Sequence, residues 1–408
     1  MLSQLIQNQL ELISKFEFPS FKRYLFSQIN WDSRLIAILG ARGVGKTTML
    51  LQYYKEHFDN PEKCLYILGD DGDVLNIGLR KIARQFSLKG GKVLIVDEVH
   101  KYPKWSQQVK NIYDTRPDLR IILSGSSNIN ISREKYDLSR RLVAYRLAGL
   151  SLREFINLET GLGFKPAPLK KIFKDHLKIS QEISAKLKKE KQKKILQHFE
   201  SYLHYGYYPY YREGVSEFEG RLENAIDKVL HEDIPAAHDL SHTSIVSLKK
   251  LIALVGSSHP FTVDISSIAR NLSITRKSVY SYIDYLLKAE LLMQGKTAGS
   301  GSRLVRKPAK LFLNNPNLYF VVGKLLSFES KIGALRETFV FNQLFQKHRL
   351  NIPKKGDVLV DGLYHLEIGG RSKKTDQLKG LRKAYVVKDN IEFGYEKKIP
   401  LYLLGFLY

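Results

Sequence analysis

The chain has 408 residues, which suggests about two to four domains because single cores stop growing near 250 to 300 residues. No stretch approaches the roughly 18 consecutive apolar residues that a membrane helix needs, and the opening residues lack the basic region of a secretion signal. The single cysteine, Cys64, excludes a disulfide within the chain and a cysteine-rich zinc site. We therefore expect a cytoplasmic protein that has no membrane partner and in which Cys64 packs as a small hydrophobe.

The charge is strongly basic, with 65 Lys and Arg against 41 Asp and Glu and a formal net charge of +24. A charge of this size attracts polyanions, so nucleic acid is a candidate partner. Residues 165–194 alone carry eleven lysines against Asp175, Glu182 and Glu190. The alternative is therefore that much of the charge lies on one solvated helical face.

The first third of the chain alternates between apolar runs and helical patterns. An amphipathic helix is expected at the start, ended by Pro19. The predicted strands are 35–39, 64–68, 93–96 and 121–123, and helices are expected at 47–58 and 74–86. Continuous apolar strands separated by helices predict an α/β fold with a parallel sheet that is buried on both faces.

The first strand runs into a glycine-rich turn that satisfies the eight-position P-loop pattern. Glycines permit positive φ and a close approach of backbone N–H groups to phosphate oxygens. Lys46 is expected to neutralise the β- and γ-phosphates of ATP, and the Thr47 hydroxyl to bind Mg²⁺. The predicted nucleotide-binding residues are Gly40, Ala41, Arg42, Gly43, Val44, Gly45, Lys46, Thr47 and Thr48.

The third strand ends in Asp97 and Glu98, at the sheet edge where the P-loop is expected. This pattern predicts Asp97 in the magnesium shell and Glu98 as the group that orients and polarises the attacking water. Two carboxylates that cap a helix are the alternative. The fourth strand leads into residues 124–128, which suit a sensor of the γ-phosphate or a plain turn. We interpret His100 and Trp105 as packing and helix-surface residues.

These motifs together resemble the bacterial and archaeal AAA-like P-loop ATPases that carry a C-terminal domain of unknown function. The matching segments, in the order of that family, are GARGVGKTT, IVDEVHKYPKW, ILSGSSN, LSRRLVAYRLAGLSLREF, YGYYP and HEDI. The resemblance places Arg141 where that family has an arginine near the end of the ATPase domain, and Arg140 where it usually has a glycine. Arg141 is thereby a candidate catalytic finger, in cis or from a neighbouring subunit, with a surface arginine as the alternative.

Beyond residue 150 the strand pattern gives way to Lys-rich helical segments, with a tyrosine cluster at 205–211 that favours packing over base stacking. Residues 262–294 have a helix-turn-helix rhythm, with Asp264 and Thr275 as candidate caps. Four residues are expected to face outward and to suit contacts with DNA, namely Arg276, Lys277, Tyr280 and Ser281. A winged helix that serves only as a packing module is the alternative.

The last hundred residues become strand-rich again and resemble the nuclease-like fold that ends many members of that family. The resemblance matches its metal-binding carboxylates to Glu337, Asp357 and Glu367, while Gly369 replaces the lysine of the active pattern. Lys373 or Lys374 is a weaker positional match for that lysine. We expect these carboxylates still to gather a magnesium ion, but we expect the site to be degenerate and without cleavage activity.

The sequence thus predicts a P-loop ATPase domain at 1–150, a helical lid or spacer at 151–245, a winged helix-turn-helix at 246–300 and a nuclease-like α/β domain at 301–408. We expect an ATP-binding, magnesium-dependent and slowly hydrolysing ATPase that acts as a nucleotide-dependent switch, with nucleic acid as a candidate partner. Two alternatives remain, namely a DNA-processing nuclease coupled to ATP and a scaffold that binds ATP without turnover.

Overall fold

A computed structural model describes residues 2–126 (for Ser126 the backbone alone), 138, 140–258, 262–297, 310–326, 331–373 and 378–408. The chain divides into two compact units, Met1–Gly149 and Leu150–Tyr408. Within the described ranges, no helix is both long enough and apolar enough to cross a lipid bilayer. The finer division of the second unit into three domains stays a prediction.

The first unit is built on a five-stranded parallel sheet with strand order β2-β3-β4-β1-β5. Its helices and strands are α1 (Leu2–Lys15), β1 (Leu35–Gly40), α2 (Lys46–His57), β2 (Cys64–Leu68), α3 (Gly72–Ile77), α4 (Leu79–Leu88), β3 (Val93–Asp97), α5 (Trp105–Thr115), β4 (Arg120–Ser126) and β5 (Val143–Arg146). The predicted α/β fold with a parallel sheet is confirmed, and each of the four predicted strands is present.

Every residue of β1 and β3 is buried, as expected for central strands that are covered on both faces. Cys64 is fully buried, and burial raises the pKa of its thiol, so it packs as the predicted small hydrophobe. The single helix expected at 74–86 is wrong, because Gly78 separates two helices with a φ of 90°. Strand β5 was not predicted; its half-exposed residues pair with β1 at the edge of the sheet.

The second unit combines helices with a seven-stranded mixed sheet of order β12-β11-β10-β9-β8-β6-β7. Its helices are α6 (Leu152–Thr160), α7 (Leu169–Lys189), α8 (Ile195–Tyr205), α9 (Phe218–Lys228), α10 (Ile234–Ala237), α11 (His242–Ser257), α12 (Ile265–Leu272), α13 (Arg276–Lys288), α14 (Pro316–Leu325) and α15 (Ile332–Phe345). Its strands are β6 (Leu292–Thr297), β7 (Lys310–Leu313), β8 (Leu350–Ile352), β9 (Val358–Val360), β10 (Tyr364–Gly369), β11 (Ala384–Lys388) and β12 (Lys398–Pro400).

The sheet of the second unit runs across the boundary that the sequence predicted at residue 300. Strand β6 pairs antiparallel with β7 on one side and parallel with β8 on the other. The tyrosine cluster is packed, as predicted, with Tyr207, Tyr208 and Tyr211 all buried. Tyr208 also accepts a hydrogen bond from the Asn315 side chain at 3.0 Å, which ties the cluster to the start of α14.

Candidate active site

The P-loop has the backbone that its glycines predict. Gly43 and Gly45 take φ values of 80° and 95°, a region that favours glycine. Gly40 is required for a different reason, because a side chain there would run into the carbonyl oxygen of Leu147. The loop leads directly into α2, so the backbone N–H groups of its first turn are available to an anion.

Lys46 lies over the loop from the first turn of α2. Its Nζ donates hydrogen bonds to the carbonyl oxygens of Gly40 at 3.0 Å and Ala41 at 3.1 Å, and the residue is buried. The same Nζ lies 3.9 Å from Oε1 of Glu98. The positive charge of Lys46 is therefore held by neutral carbonyls next to the predicted catalytic carboxylate, where it is available to phosphate oxygens.

Asp97 is fully buried at the end of β3 and is held by hydroxyl groups from three elements. Its Oδ2 accepts hydrogen bonds from Thr47 and from the Tyr66 hydroxyl, each at 2.7 Å. Its Oδ1 accepts from the Ser124 hydroxyl and from the backbone N–H of Glu98. Burial and the Asp97 carboxylate together raise the pKa of Tyr66, so this phenol stays a hydrogen-bond donor.

Glu98 follows with a backbone conformation that is rare for a side-chain-bearing residue, with φ 52° and ψ 40°. Its backbone N–H also donates to the Ser124 hydroxyl at 3.0 Å, which helps to hold this turn. Its Oε2 lies 3.5 Å from Nε2 of His100. Such strain concentrates at functional sites, and here it directs the Glu98 carboxylate toward both Lys46 and His100.

Three residues of this site were missed by the sequence analysis. Tyr66 contacts Asp97 directly. His100, which we interpreted as a packing or helix-surface residue, contacts Glu98. Arg23 is buried, and its guanidinium donates to the carbonyl oxygens of Val44 at 2.6 Å, Ala148 at 2.6 Å and Gly149 at 2.9 Å. Arg23 thereby fixes the P-loop to the end of the first unit. Trp105, by contrast, is buried and packs as predicted.

Arg141 is not brought to the P-loop. Its guanidinium makes two hydrogen bonds with the Asp114 carboxylate, at 2.9 and 3.1 Å. Asp114 lies near the end of α5, and the chain then enters β4 at its amino end, opposite the edge where the P-loop lies. A catalytic contact of Arg141 within the same chain would require this ion pair to break; the contact from a neighbouring subunit stays a prediction. Asn128, part of the expected γ-phosphate sensor, lies outside the described residues.

The residues at this edge fit a magnesium ion bound together with a nucleotide. Thr47 and Asp97 already bring two hard oxygen atoms to one point, and magnesium bound with phosphates needs only one or two protein ligands. In the described ranges, no group of three or more His, Cys, Asp or Glu side chains is arranged to hold a metal ion by itself. A metal at this edge therefore depends on the phosphates for much of its shell.

The second unit brings the three predicted nuclease-like carboxylates to one region, but lysines neutralise two of them. Lys310 Nζ lies 3.1 Å from Glu337, and Lys373 Nζ lies 2.6 Å from the fully buried Glu367. Asp357 Oδ2 accepts a hydrogen bond from the backbone N–H of Ile368 at 2.7 Å. We call these five side chains the carboxylate–lysine site. Among the described residues these three carboxylates are not arranged to hold a metal ion without further ligands, so the expectation that they gather a magnesium ion stays a prediction.

Lys373 reaches this region because position 369 has no side chain. A Cβ at Gly369 would collide with the aliphatic part of Lys373, so the lysine passes through the space that Gly369 leaves free. A cavity of about 280 Å³ adjoins the site and is lined by Glu337, Asp357 and Lys373 among others. Burial raises the pKa of Glu337 and of Glu367, although the neighbouring lysines oppose that shift.

The helix pair of the predicted helix-turn-helix is present with the expected caps. Asp264 accepts hydrogen bonds from two backbone N–H groups of α12, and Thr275 caps α13. Arg276, Lys277 and Tyr280 are exposed, and Ser281 is half-buried. The four residues predicted to contact DNA therefore lie on the outer side of α13, while Val279, Ile283 and Leu286 are buried.

Comparison with known proteins agrees with this geometry. Residues 32–156 match the family model described as an AAA domain. The first unit contains an AAA-like P-loop domain. Residues 196–331 match a second family model, a domain of unknown function (DUF8612). The match to the AAA domain includes all five strands of the first sheet, the P-loop and the Asp97–Glu98 pair.

An uncharacterised protein of Methanocaldococcus jannaschii is 26% identical over 94% of this chain and 86% of its own length. Among solved structures, a RuvB variant of Thermotoga maritima covers 81% of this chain and 93% of its own, with 13% identity and a TM-score of 0.28. The Orc1 protein of Aeropyrum pernix in complex with DNA covers 79% and 92%, with 12% identity and a TM-score of 0.32. TM-scores of this size do not establish a shared arrangement over the matched length.

Proposed function

We propose that the protein is a magnesium-dependent ATPase with slow turnover, and that it acts as a nucleotide-dependent switch. The observation that carries this proposal is the 2.7 Å hydrogen bond between the Thr47 hydroxyl and Asp97, with Lys46 and Glu98 beside it. The proposal is supported because one edge of the sheet holds a lysine suited to phosphates, two oxygens suited to magnesium and a carboxylate suited to activating water.

The chain's own groups rearrange when ATP binds. Lys46 exchanges its bonds to the carbonyls of Gly40 and Ala41 for phosphate oxygens, while Thr47 and Asp97 stay together as the residues that would hold a magnesium ion. Tyr66 and Ser124 keep Asp97 oriented during this exchange, since their hydrogen bonds do not involve Thr47. When bound, a magnesium ion supplies charge neutralisation for the phosphates.

Two features support slow turnover. Glu98 faces Lys46 and His100, and its carboxylate must turn toward the γ-phosphate before it can accept a proton from water. Arg141 is paired with Asp114, so a finger contact from within the chain requires this ion pair to break first. Because a finger arginine contributes about 10³ to 10⁵ in rate in related chemistry, hydrolysis is slow as long as the pair stays intact and no neighbouring subunit supplies an arginine.

Two substitutions test the proposal against a surface control. Lys46→Ala should abolish nucleotide binding or turnover, because it removes the charge that is expected to neutralise the β- and γ-phosphates. Glu98→Gln should keep ATP binding but slow hydrolysis by at least about a hundredfold, the size expected for loss of a general base. Glu62→Gln, at an exposed position, is the matched control. Equal hydrolysis by wild type and Glu98→Gln would refute the role of Glu98, and tight binding with no turnover by the wild type would favour an ATP-binding scaffold.

We further propose that α13 contacts nucleic acid. Arg276 and Lys277 stand exposed at the start of the helix, with Tyr280 one turn further on, a pattern that suits phosphate and base-edge contacts. Replacing Arg276 and Lys277 with Ala should weaken DNA binding and lower the salt slope by about two, since each phosphate contact releases roughly one counterion. An unchanged slope would exclude this helix from the DNA-binding surface.

A second candidate activity is DNA cleavage at the carboxylate–lysine site. It is favoured by Lys373, whose ammonium lies beside Glu367 although position 369 is glycine. We propose that the site does not cleave, because Lys310 and Lys373 neutralise the carboxylates that would hold a metal. The wild type should therefore leave plasmid DNA intact with Mg²⁺ or Mn²⁺, with or without ATP. Cleavage that disappears in Asp357→Ala would overturn this proposal.

A further inference from the structure

Helix α7 carries a row of lysines on its exposed side. We call Lys170, Lys171, Lys174, Lys178, Lys188 and Lys189 the lysine strip; all six are exposed. Within the described part of the chain, none of their ammonium groups makes an ion pair or a hydrogen bond. Lys186 differs, because it donates to the carbonyl oxygen of Leu162 at 2.5 Å and lies over the Phe164 ring.

The spacing of the strip places like charges next to each other. Three of these lysines follow each other at intervals of four residues, namely Lys170, Lys174 and Lys178. Four residues correspond to about 6 Å along a helix axis, and like charges at this spacing repel each other. The backbone departs from helical geometry at Asp175, between the second and third of them. A surface selected only for stability would alternate these lysines with glutamates, yet the helix has only Asp175 and Glu182 as acidic residues.

Among the residues that the structure describes, carboxylates from neighbouring elements do not neutralise the strip either. Glu392 accepts a hydrogen bond from Ser184 at 2.6 Å, and the exposed Glu396 lies 3.9 Å from the ammonium group of Lys398. The strip therefore presents several uncompensated positive charges to solvent over a helix about 30 Å long. Such a surface attracts a ligand with regularly spaced negative charges.

The other side of α7 indicates which polyanion fits. Its apolar side chains are packed in the core of the second unit, where Phe173 stacks on Tyr385 with ring centroids 4.2 Å apart. A helix that lies on a membrane needs its apolar face free to enter the lipid. Leu177 is the single large apolar side chain of α7 that is exposed, so the strip has almost nothing to insert into a bilayer.

We propose that the lysine strip binds the phosphate backbone of nucleic acid without reading its sequence. Lysine ammonium groups are flexible point charges that neutralise phosphates and release counterions, and they carry no base-specific geometry. The inference rests on the proposed association with nucleic acid, but it does not depend on ATP hydrolysis. It adds a contact surface that is separate in sequence from α13.

The test compares two triple variants of the full chain that lose the same charge. The first replaces Lys170, Lys174 and Lys178 with Gln. The control replaces Lys81, Lys89 and Lys92 with Gln, which are exposed in the first unit. Binding to a 30-base-pair duplex of arbitrary sequence is measured by fluorescence anisotropy across a salt series, without nucleotide. The strip variant should lower the salt slope by about 2.7, at roughly 0.9 per phosphate contact, and the control should leave the slope unchanged.

A triple Lys→Arg variant at the same strip positions should retain the wild-type slope, since the charges remain. Equal losses in the strip and control variants would show an effect of net charge alone and would overturn the inference. So would an unchanged slope in the strip variant, or strip-dependent binding to phosphatidylserine vesicles that exceeds binding to the duplex. ATP hydrolysis, measured on the same variants without DNA, should equal that of the wild type, which separates failure of the strip from failure of the ATPase proposal.

Discussion

The P-loop region and the carboxylate–lysine site contain similar charged groups but stabilise them in opposite ways. At the P-loop, Lys46 and Arg23 are held by carbonyl oxygens, while Asp97 is held by hydroxyl groups. At the carboxylate–lysine site, Lys310 and Lys373 are paired directly with Glu337 and Glu367. The first arrangement leaves charges available to a ligand. The second pairs its lysines with its carboxylates inside the site, which is why we propose that a similar set of residues does not cleave DNA there.

The largest effect on stability is expected at Arg23, because its buried guanidinium donates hydrogen bonds to three carbonyl oxygens. Arg23→Met should lower the free energy of unfolding by about 3 kcal/mol, since hydrogen bonds to charged groups contribute about 1.5 to 3 kcal/mol each and are not fully additive. Nucleotide affinity should fall as well, as the P-loop loses its anchor at Val44. Urea unfolding and ATP titration measure both, and a loss below about 1 kcal/mol would show that the loop is held by other contacts.

A smaller loss is expected at Lys373, the partner of the buried Glu367. Lys373→Met should lower the free energy of unfolding by about 2 kcal/mol at pH 7, because a buried carboxylate is left without its cation. The loss should shrink near pH 4.5, where Glu367 is protonated more readily. Lys354→Met, at an exposed lysine, is the control. Equal stability of wild type and Lys373→Met at pH 7 would mean that the ion pair is not what satisfies this carboxylate.

Tyr66→Phe tests how much the Tyr66 hydroxyl contributes to holding Asp97. The substitution removes one hydrogen bond to Oδ2 and keeps the ring, so the free energy of unfolding should fall by about 1.5 kcal/mol. The turnover number should fall and more Mg²⁺ should be needed for half-maximal activity, while KM for ATP changes little. Tyr113→Phe is a suitable control, since the Tyr113 ring, which this substitution keeps, is the part that packs against the Arg34 guanidinium. An unchanged magnesium requirement would leave Tyr66 with a purely structural role.

The smallest effect is a pH dependence at Glu337. Burial raises its pKa above the ordinary value of 4.5 in the folded protein, so the folded state binds more protons than the unfolded state above that pH. The contribution of Glu337 to stability is therefore present at low pH and is lost as the pH rises through the raised pKa. Glu337→Gln should accordingly be more stable, relative to wild type, at pH 7 than at pH 4.5. A constant difference between the two proteins would contradict the raised pKa.

The sequence by itself determined the features that depend on short segments. The apolar runs predicted four of the five strands of the first unit, and glycine spacing with Lys46 and Thr47 identified the P-loop, because these signals lie within a few residues of one another. The caps at Asp264 and Thr275 are equally local, since each side chain bonds to N–H groups two or three positions later. In each case the residue type and its immediate neighbours fix the geometry.

The tertiary structure decided which distant groups complete each site. Arg23 reaches carbonyls up to 126 positions away in the chain, and Tyr66 meets Asp97 across two paired strands. Packing also decides that Arg141 pairs with Asp114. It likewise brings Lys373 against position 369, where glycine leaves room for its side chain. No local pattern encodes these contacts, because a single arginine, tyrosine or lysine suits many surroundings. Its partner is fixed only when packing brings one acceptor within about 3 Å and excludes water from the others.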